Sequence, residues 1–184
     1  MSSLPPEPGP GKLQRVSDDA SRPKVRQEMV IFIGLQGSGK STFFRTYFAG
    51  THAYISKDLL RNNKRPSRRQ HQLIEEALQS GQSVVIDNTN PTKEEREALI
   101  SLGKHYGAKI IGYYFESQVS QALERNKQRT GKARVPDVAI YVTASKLVRP
   151  EYEEGFDELF EVRIKDDGTF SISTNTNLYS KLRD

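Results

Sequence analysis

Three stretches of the chain are apolar without alternation: Met29-Val30-Ile31-Phe32-Ile33, the centre of Ser83-Val84-Val85-Ile86-Asp87, and Ile110 to Phe115. Runs of this length fit strands buried on both faces, as in a parallel sheet. Ala53-Tyr54-Ile55-Ser56 reads as a shorter strand of the same kind. Between the strands the period becomes helical. Phe43, Phe44, Tyr47 and Phe48 mark a helix that stops by Gly50, and Leu73, Ile74, Ala77 and Leu78 mark one over Gln70 to Ser80, closed by Gly81. A further helix runs from Asn90-Pro91-Thr92 toward Gly107. Either Asn90 caps it with Pro91 at the first position, or Thr92 caps it with Glu95 as a capping box. Ser117 to Arg129 and Pro136 to Leu147 are the remaining helices. Near the end Phe160, Val162 and Ile164 alternate, as do Phe170 and Ile172, with Asp167-Gly168 placed as a hairpin turn between them.

Strands alternating with helices predict an α/β fold, a mostly parallel sheet covered on both faces, with a β-hairpin at its C-terminal end. Residues 1–27 are rich in Pro, Ser, Gly and charge and read as a flexible leader, leaving 28–184 as one domain. Composition adjusts this picture only slightly. The chain has 184 residues, enough for one adequate core, and its 35% apolar and 28% charged content predicts a modest core under a large solvated surface. The absence of cysteine excludes disulfides, thiolate metal sites and cysteine nucleophiles. His52, His71 and His105 lack ligand spacing, so no zinc site is expected. No stretch has the length of a membrane span and the N-terminus lacks a signal-peptide core, so a soluble cytoplasmic protein without membrane contact is expected. The net charge of +5 favours polyanionic partners.

The chemistry is concentrated after the first strand. Gly34-Leu35-Gln36-Gly37-Ser38-Gly39-Lys40-Ser41 fits the phosphate loop G-x-x-x-x-G-K-[ST], with Thr42 next to it. Its glycines let backbone N–H groups converge on phosphate oxygens, and the following helix adds its positive end. Lys40 is placed to reach the β and γ phosphates of ATP, and the Ser41 hydroxyl to ligate Mg²⁺. Asp87, an acid at the end of another buried strand, is the expected second metal ligand. A guanine reader would need Asn-Lys-x-Asp, but Asn126-Lys127-Gln128-Arg129 has Arg in place of the acid. A kinase also needs a base near the acceptor hydroxyl and cations over the phosphates. Asp58 follows the second strand at the carboxyl edge of the sheet and suits the base; otherwise it is a helix cap. Arg125 and Arg129 lie one turn apart on one helix, as a cationic lid or as a solvated basic face. Lys57, Arg61, Lys64, Arg65, Arg68 and Arg69 form a basic cluster that a nucleic-acid backbone would meet.

These motifs occur in one order: Gly37-Ser38-Gly39-Lys40-Ser41-Thr42, Ser56-Lys57-Asp58-Leu59-Leu60-Arg61, Val85-Ile86-Asp87-Asn88-Thr89-Asn90-Pro91, Arg125-Asn126-Lys127-Gln128-Arg129-Thr130-Gly131, and Val135-Pro136-Asp137-Val138. From Val30 to Ile164 the chain thereby resembles the 5′-hydroxyl polynucleotide kinase family. That family comprises the phage-type enzymes and the kinase domain of polynucleotide kinase–phosphatase. The resemblance implies a three-layer P-loop NTPase fold with a helical lid. It implies transfer of the γ-phosphate of ATP, with Mg²⁺, to the 5′-OH end of DNA or RNA. It implies Asp58 as general base, Arg61 on the phosphate 3′ to the acceptor nucleoside with Thr89 near that phosphate, and Arg125 and Arg129 as the lid, Arg129 on the donor phosphates. It also implies Val135 beside adenine. Gln36 stands where relatives often carry Pro or Ala, and Asn88 stands where some carry the acid. Asp167-Gly168-Thr169 looks like part of a phosphatase motif, but Lys165 occupies the nucleophile position, so a hairpin is expected instead.

Two other functions fit parts of this pattern. A kinase for a small metabolite, such as a sugar acid or a nucleoside, shares the loop and the lid but has no need of Arg61 and the basic cluster. A nucleotide-gated binding module shares the loop but has no need of Asp58. The sequence leaves open DNA against RNA, single strands against duplex ends, and the oligomeric state.

Overall fold

A computed structural model describes residues 26–174. The leader expected at 1–27 lies outside the described residues except for Arg26 and Gln27, which bond to Gly107 and Leu78 carbonyls. The most apolar run becomes the centre of the fold. Strand β1 (Glu28–Gly34) pairs in parallel with β3 (Val84–Asp87) on one side and β4 (Lys109–Phe115) on the other. Outside them lie β2 (Ala53–Ile55) and β5 (Glu158–Ile164), both parallel to their neighbours, and then β6 (Phe170–Thr174), antiparallel to β5. The six-stranded order is β2-β3-β1-β4-β5-β6.

Because successive side chains point to opposite faces of a strand, an all-apolar β1 supplies two cores at once. Val30 and Phe32 pack with Phe43 and Phe48 around α1 (Lys40–Tyr47). Met29, Ile31 and Ile33 face the other way. They meet Ile74 and Leu78 of α2 (Pro66–Gln79) and Ile100 and Leu102 of α3 (Lys93–His105). A third, smaller cluster joins Leu35 of the loop to Ala122 of α4 (Val119–Lys127) and Ile140 of α5 (Asp137–Lys146). The α/β three-layer architecture with a mostly parallel sheet is therefore present as expected, and Lys165 N bonding to Thr169 O closes the hairpin at Gly168, whose φ is 80°. That geometry settles Asp167-Gly168-Thr169 as a turn: Asp167 Oδ1 accepts from both the amide and the hydroxyl of Thr169.

Two helix starts differ from or refine the expectation. Helix α2 begins a turn early, at Pro66, because proline at the first position needs no N–H partner. The polar residues Ser67, Arg68 and Arg69 that follow carry no apolar period to reveal it. For α3 the cap is Thr92, whose hydroxyl accepts from Glu95 N at 3.3 Å. Asn90 has another task. It holds a left-handed φ of 43° and its amide donates 2.7 Å to the Phe32 carbonyl, fixing the loop after β3 against β1. The same loop is gripped by Arg96, fully buried, which donates to the carbonyls of Asn90, Pro91 and Val148 and forms a two-point ion pair with Glu154. A guanidinium removed from water is tolerable only when its donors are met in this way.

Candidate active site

The phosphate loop leaves the carboxyl end of β1 and enters α1 at Gly39, whose φ of 92° favours glycine. Gly37, at φ 79°, also sits so close to α4 that an added Cβ would lie 2.8 Å from the Ala122 carbonyl. The loop is thus packed between β4, at Phe115, and α4, at Ala122. Lys40 folds back over it, donating to the carbonyls of Gly34 at 3.0 Å and Leu35 at 2.6 Å, with Ser38 Oγ at 3.4 Å. Burial pushes the Lys40 ammonium down to about 8; Arg129 pushes in the same direction, while Asp87 and Asp58 oppose the shift. A buried cation of this kind is stabilised by an arriving anion.

At the end of β3, Asp87 Oδ2 accepts from Ser41 Oγ and from the Tyr54 hydroxyl, each at 2.6 Å. Burial, followed by Asp87, raises the Tyr54 phenol to about 12, so it remains a donor. The two expected metal ligands therefore touch, Ser41 from the start of α1 and Asp87 from the end of β3, and Tyr54 of β2 holds the carboxylate in place. A hydroxyl and a carboxylate are hard oxygen donors and fit Mg²⁺ at a phosphate site.

Asp58 lies in a short 3₁₀ turn, Lys57–Leu60, capped by Ser56, whose Oγ accepts from Asp58 N at 3.3 Å. It is thus not itself the cap of that turn. Asn88, just past β3, fixes the turn: its Oδ1 accepts from Lys57 N at 3.0 Å. Arg61, one residue past the turn, donates from Nε and Nη2 to Asp58 Oδ1. Lys40, Asp58, Asp87, Thr89, Arg129 and Val135 all line one cavity of ≈ 230 Å³, together with loop residues Gln36 to Ser41. A wider cavity of ≈ 870 Å³ adjoins it, sharing Gly39, Ser41, Asp58 and Arg129 and adding Thr42, Tyr54 and Arg61. Thr89 also accepts the Gly34 amide through its carbonyl at 3.0 Å, tying the two motifs together.

The lid arginines part company. Arg129 lines the cavity over the phosphate loop. Arg125, expected on ATP beside it, instead donates from Nε to the Gly37 carbonyl at 2.6 Å and from Nη2 to Ser117 Oγ at 3.0 Å, outside the cavity lining. One helical turn separates them, and α4 ends at Lys127, so Arg129 has left the helix face that Arg125 occupies. Gln36 lines the cavity, yet its Nε2 donates 2.9 Å to Thr143 Oγ1 of α5. Sequence reasoning missed Tyr54, Asn88 and Glu95, a further residue of the cavity wall. Tyr54 carried only a strand signal, and Glu95 only a capping signal.

The fold and the loop define a P-loop domain of the kinase type. Residues 29–149 match the family model described as AAA domain, and the chain belongs to that family. The resemblance to polynucleotide kinases is borne out by its relatives. The chain is 31% identical over 144 residues to the bifunctional polynucleotide phosphatase/kinase of Schizosaccharomyces pombe, covering 76% of this chain and 34% of that one. It is 30% identical over 141 residues to a protein assigned to the same bifunctional kind in Acanthamoeba polyphaga mimivirus, covering 73% and 32%. The chain spans about a third of the length of these two relatives. In fold it is similar to Chaetomium thermophilum Kti12, solved with ADP-AlF3, at a TM-score of 0.65 and 19% identity over 76% of this chain and 90% of that one. Among the described residues no helix is long and apolar enough to cross a membrane.

Proposed function

We propose that this domain transfers the γ-phosphate of ATP to the 5′-hydroxyl end of a nucleic acid. The observation that carries the reading is the pairing of Asp58, on the 3₁₀ turn, with Arg61 just past it, where the phosphate-loop cavity and its wider neighbour share Asp58. A carboxylate at that junction suits a hydroxyl acceptor. A guanidinium beside it suits an acceptor that carries a phosphate, which a sugar or a plain nucleoside does not.

Backbone N–H groups of the loop and the start of α1 hold the donor phosphates, with Thr42 and Val135 at the edges of the nucleotide site. Asp58 orients the 5′-hydroxyl and takes its proton as the oxygen attacks the γ-phosphorus. The bond to the β,γ-bridging oxygen breaks, and ADP leaves. Lys40 and Arg129 stabilise negative charge on the moving phosphoryl group. Ser41 and Asp87 would hold Mg²⁺, which when bound neutralises charge between the β and γ phosphates. Arg61, with Thr89 nearby, binds the phosphate 3′ to the acceptor nucleoside. Arg125 holds the loop in shape through Gly37 and does not itself meet ATP.

Beyond Arg61, Lys64, Arg65, Arg68 and Arg69 carry the strand onward by salt-sensitive backbone contacts. Incubation with γ-labelled ATP, Mg²⁺ and a panel of 5′-hydroxyl DNA and RNA oligonucleotides, sugar acids and nucleosides tests the proposal. Label should enter the oligonucleotides at their 5′ ends; preferential labelling of a sugar acid or a nucleoside would overturn it.

A further inference from the structure

Strand register brings Tyr54 to Asp87. In the parallel pairing of β2 with β3, Tyr54 stands beside Val85. Paired residues of neighbouring strands share a face, and Asp87 follows Val85 by two residues on that same face. The next pair, Ile55 and Ile86, turns to the other core. On its own side the Tyr54 ring packs on Phe44 of α1, with ring centroids 4.4 Å apart, so the ring is held between helix and sheet. Its hydroxyl donates to Asp87 Oδ2, the same oxygen that accepts from Ser41 Oγ. That bond crosses a wall: Asp87 lines the phosphate cavity, whereas Tyr54 lines the wider one and not the first.

We infer that Tyr54 is a positioning residue for the metal: its hydroxyl locks the Asp87 carboxylate through Oδ2 and so leaves Oδ1 to Mg²⁺ or to a water bound to it. The inference rests on the assignment of Mg²⁺ to Ser41 and Asp87 under the kinase reading, and adds the residue that orients them.

A carboxylate turns readily about its Cβ–Cγ bond. With Ser41 as its hydroxyl partner at the start of α1, the two groups could turn together. A second donor from a different strand, itself packed against Phe44, stops that rotation. Residues that hydrogen-bond metal ligands orient them in this way. A phenol suits the task because it donates without carrying charge. A Lys or Arg in its place would neutralise Asp87 and compete with the metal for the carboxylate.

The test is Tyr54→Phe, which keeps the ring on Phe44 and removes only the hydroxyl. Calorimetry on wild type and variant would measure affinity for a non-hydrolysable β,γ-imido analogue of ATP, once with Mg²⁺ in excess and once with a chelator. Metal-free affinity and melting temperature should match wild type. The gain in affinity that Mg²⁺ confers should shrink by roughly tenfold, the lower end of the loss expected when a metal ligand loses its partner. Turnover should drop at limiting Mg²⁺ and recover as Mg²⁺ is raised, which a merely structural residue would not show. An unchanged gain in the folded variant overturns the inference and leaves the metal site standing. Equal weakening of metal-free and Mg²⁺-bound nucleotide makes Tyr54 a residue of the fold, and overturns it too. If wild type itself binds the analogue equally with and without Mg²⁺, the metal assignment to Ser41 and Asp87 fails, a result visible without any variant.

Discussion

Arg61 donates to Asp58 Oδ1 at 3.2 Å from Nε and at 2.7 Å from Nη2. The residue proposed to bind the acceptor's phosphate thus rests on the residue proposed to take its proton. Both side chains are exposed, at 46% and 76%, so the pair is held loosely against solvent. On the proposed reading, an arriving phosphodiester would compete for the guanidinium and release Oδ1 for the hydroxyl.

Asp58→Asn should therefore keep ATP affinity and lose about 10²–10⁴-fold in kcat, the usual worth of a general base. Steady-state kinetics on a 5′-hydroxyl oligonucleotide checks it. A preserved kcat with a lowered melting temperature would leave Asp58 a structural residue of its turn.

Arg61→Ala should erase a substrate preference. Wild type should favour a nucleoside 3′-monophosphate over the nucleoside by roughly ten- to a hundredfold in kcat/KM, since a charge-assisted hydrogen bond is worth about 1.5–3 kcal/mol. In the variant the two acceptors should become equal. Equal rates on both in wild type would favour the small-metabolite kinase.

Arg129→Ala and Arg125→Ala should fail in different ways. Loss of Arg129 from the phosphate cavity should lower kcat by about 10³-fold or more. Loss of Arg125 frees the Gly37 carbonyl and loosens the loop, so its main effect should be a raised KM for ATP. Identical, negligible changes in both would return them to a solvated surface.

Lys40 makes ATP binding depend on pH. Burial has lowered its ammonium from 10.5 to about 8, so above pH 8 the free protein increasingly holds it neutral. Bound phosphates favour the charged form, so affinity for ATP should fall as pH rises past about 8, by at most about tenfold per pH unit. Stability of the free protein should move the other way. Between pH 8 and 10.5 the unfolded chain binds the extra proton, so this group's contribution rises with pH. Calorimetric titrations from neutral to alkaline pH, with Lys40→Ala as the pH-insensitive control, measure the first effect.

Arg96→Ala should destabilise the fold without touching chemistry. It strands Glu154 and three backbone carbonyls in the interior. Breaking a buried pair costs about 3–5 kcal/mol, which for a domain of this size lowers Tm by roughly 10 °C. A Tm within a degree or two of wild type would contradict this account.

The elements were legible because their signals are local. A five-residue apolar run must be buried on both faces, and the glycines of the loop permit only a narrow set of backbone paths. The parallel sheet, the phosphate loop, the Asp167-Gly168 turn and the family resemblance all follow from residues close together in sequence. What a motif residue touches is not local. Asn90 reads as a cap candidate, but its amide bonds to Phe32, which only the pairing of β1 with β3 brings near. Arg125 and Arg129 read as two cations one turn apart on a single helix. The end of α4 at Lys127 aims one at the loop carbonyl and the other into the cavity. Tyr54 carries no sequence mark of function, and becomes the second donor to Asp87 because β2 pairs with β3. The sequence by itself determined the class of fold and the chemical groups available, since those depend on side-chain type and short-range period. The tertiary structure alone decided which groups share a cavity and which hold others in place, because those contacts join strands and helices far apart along the chain.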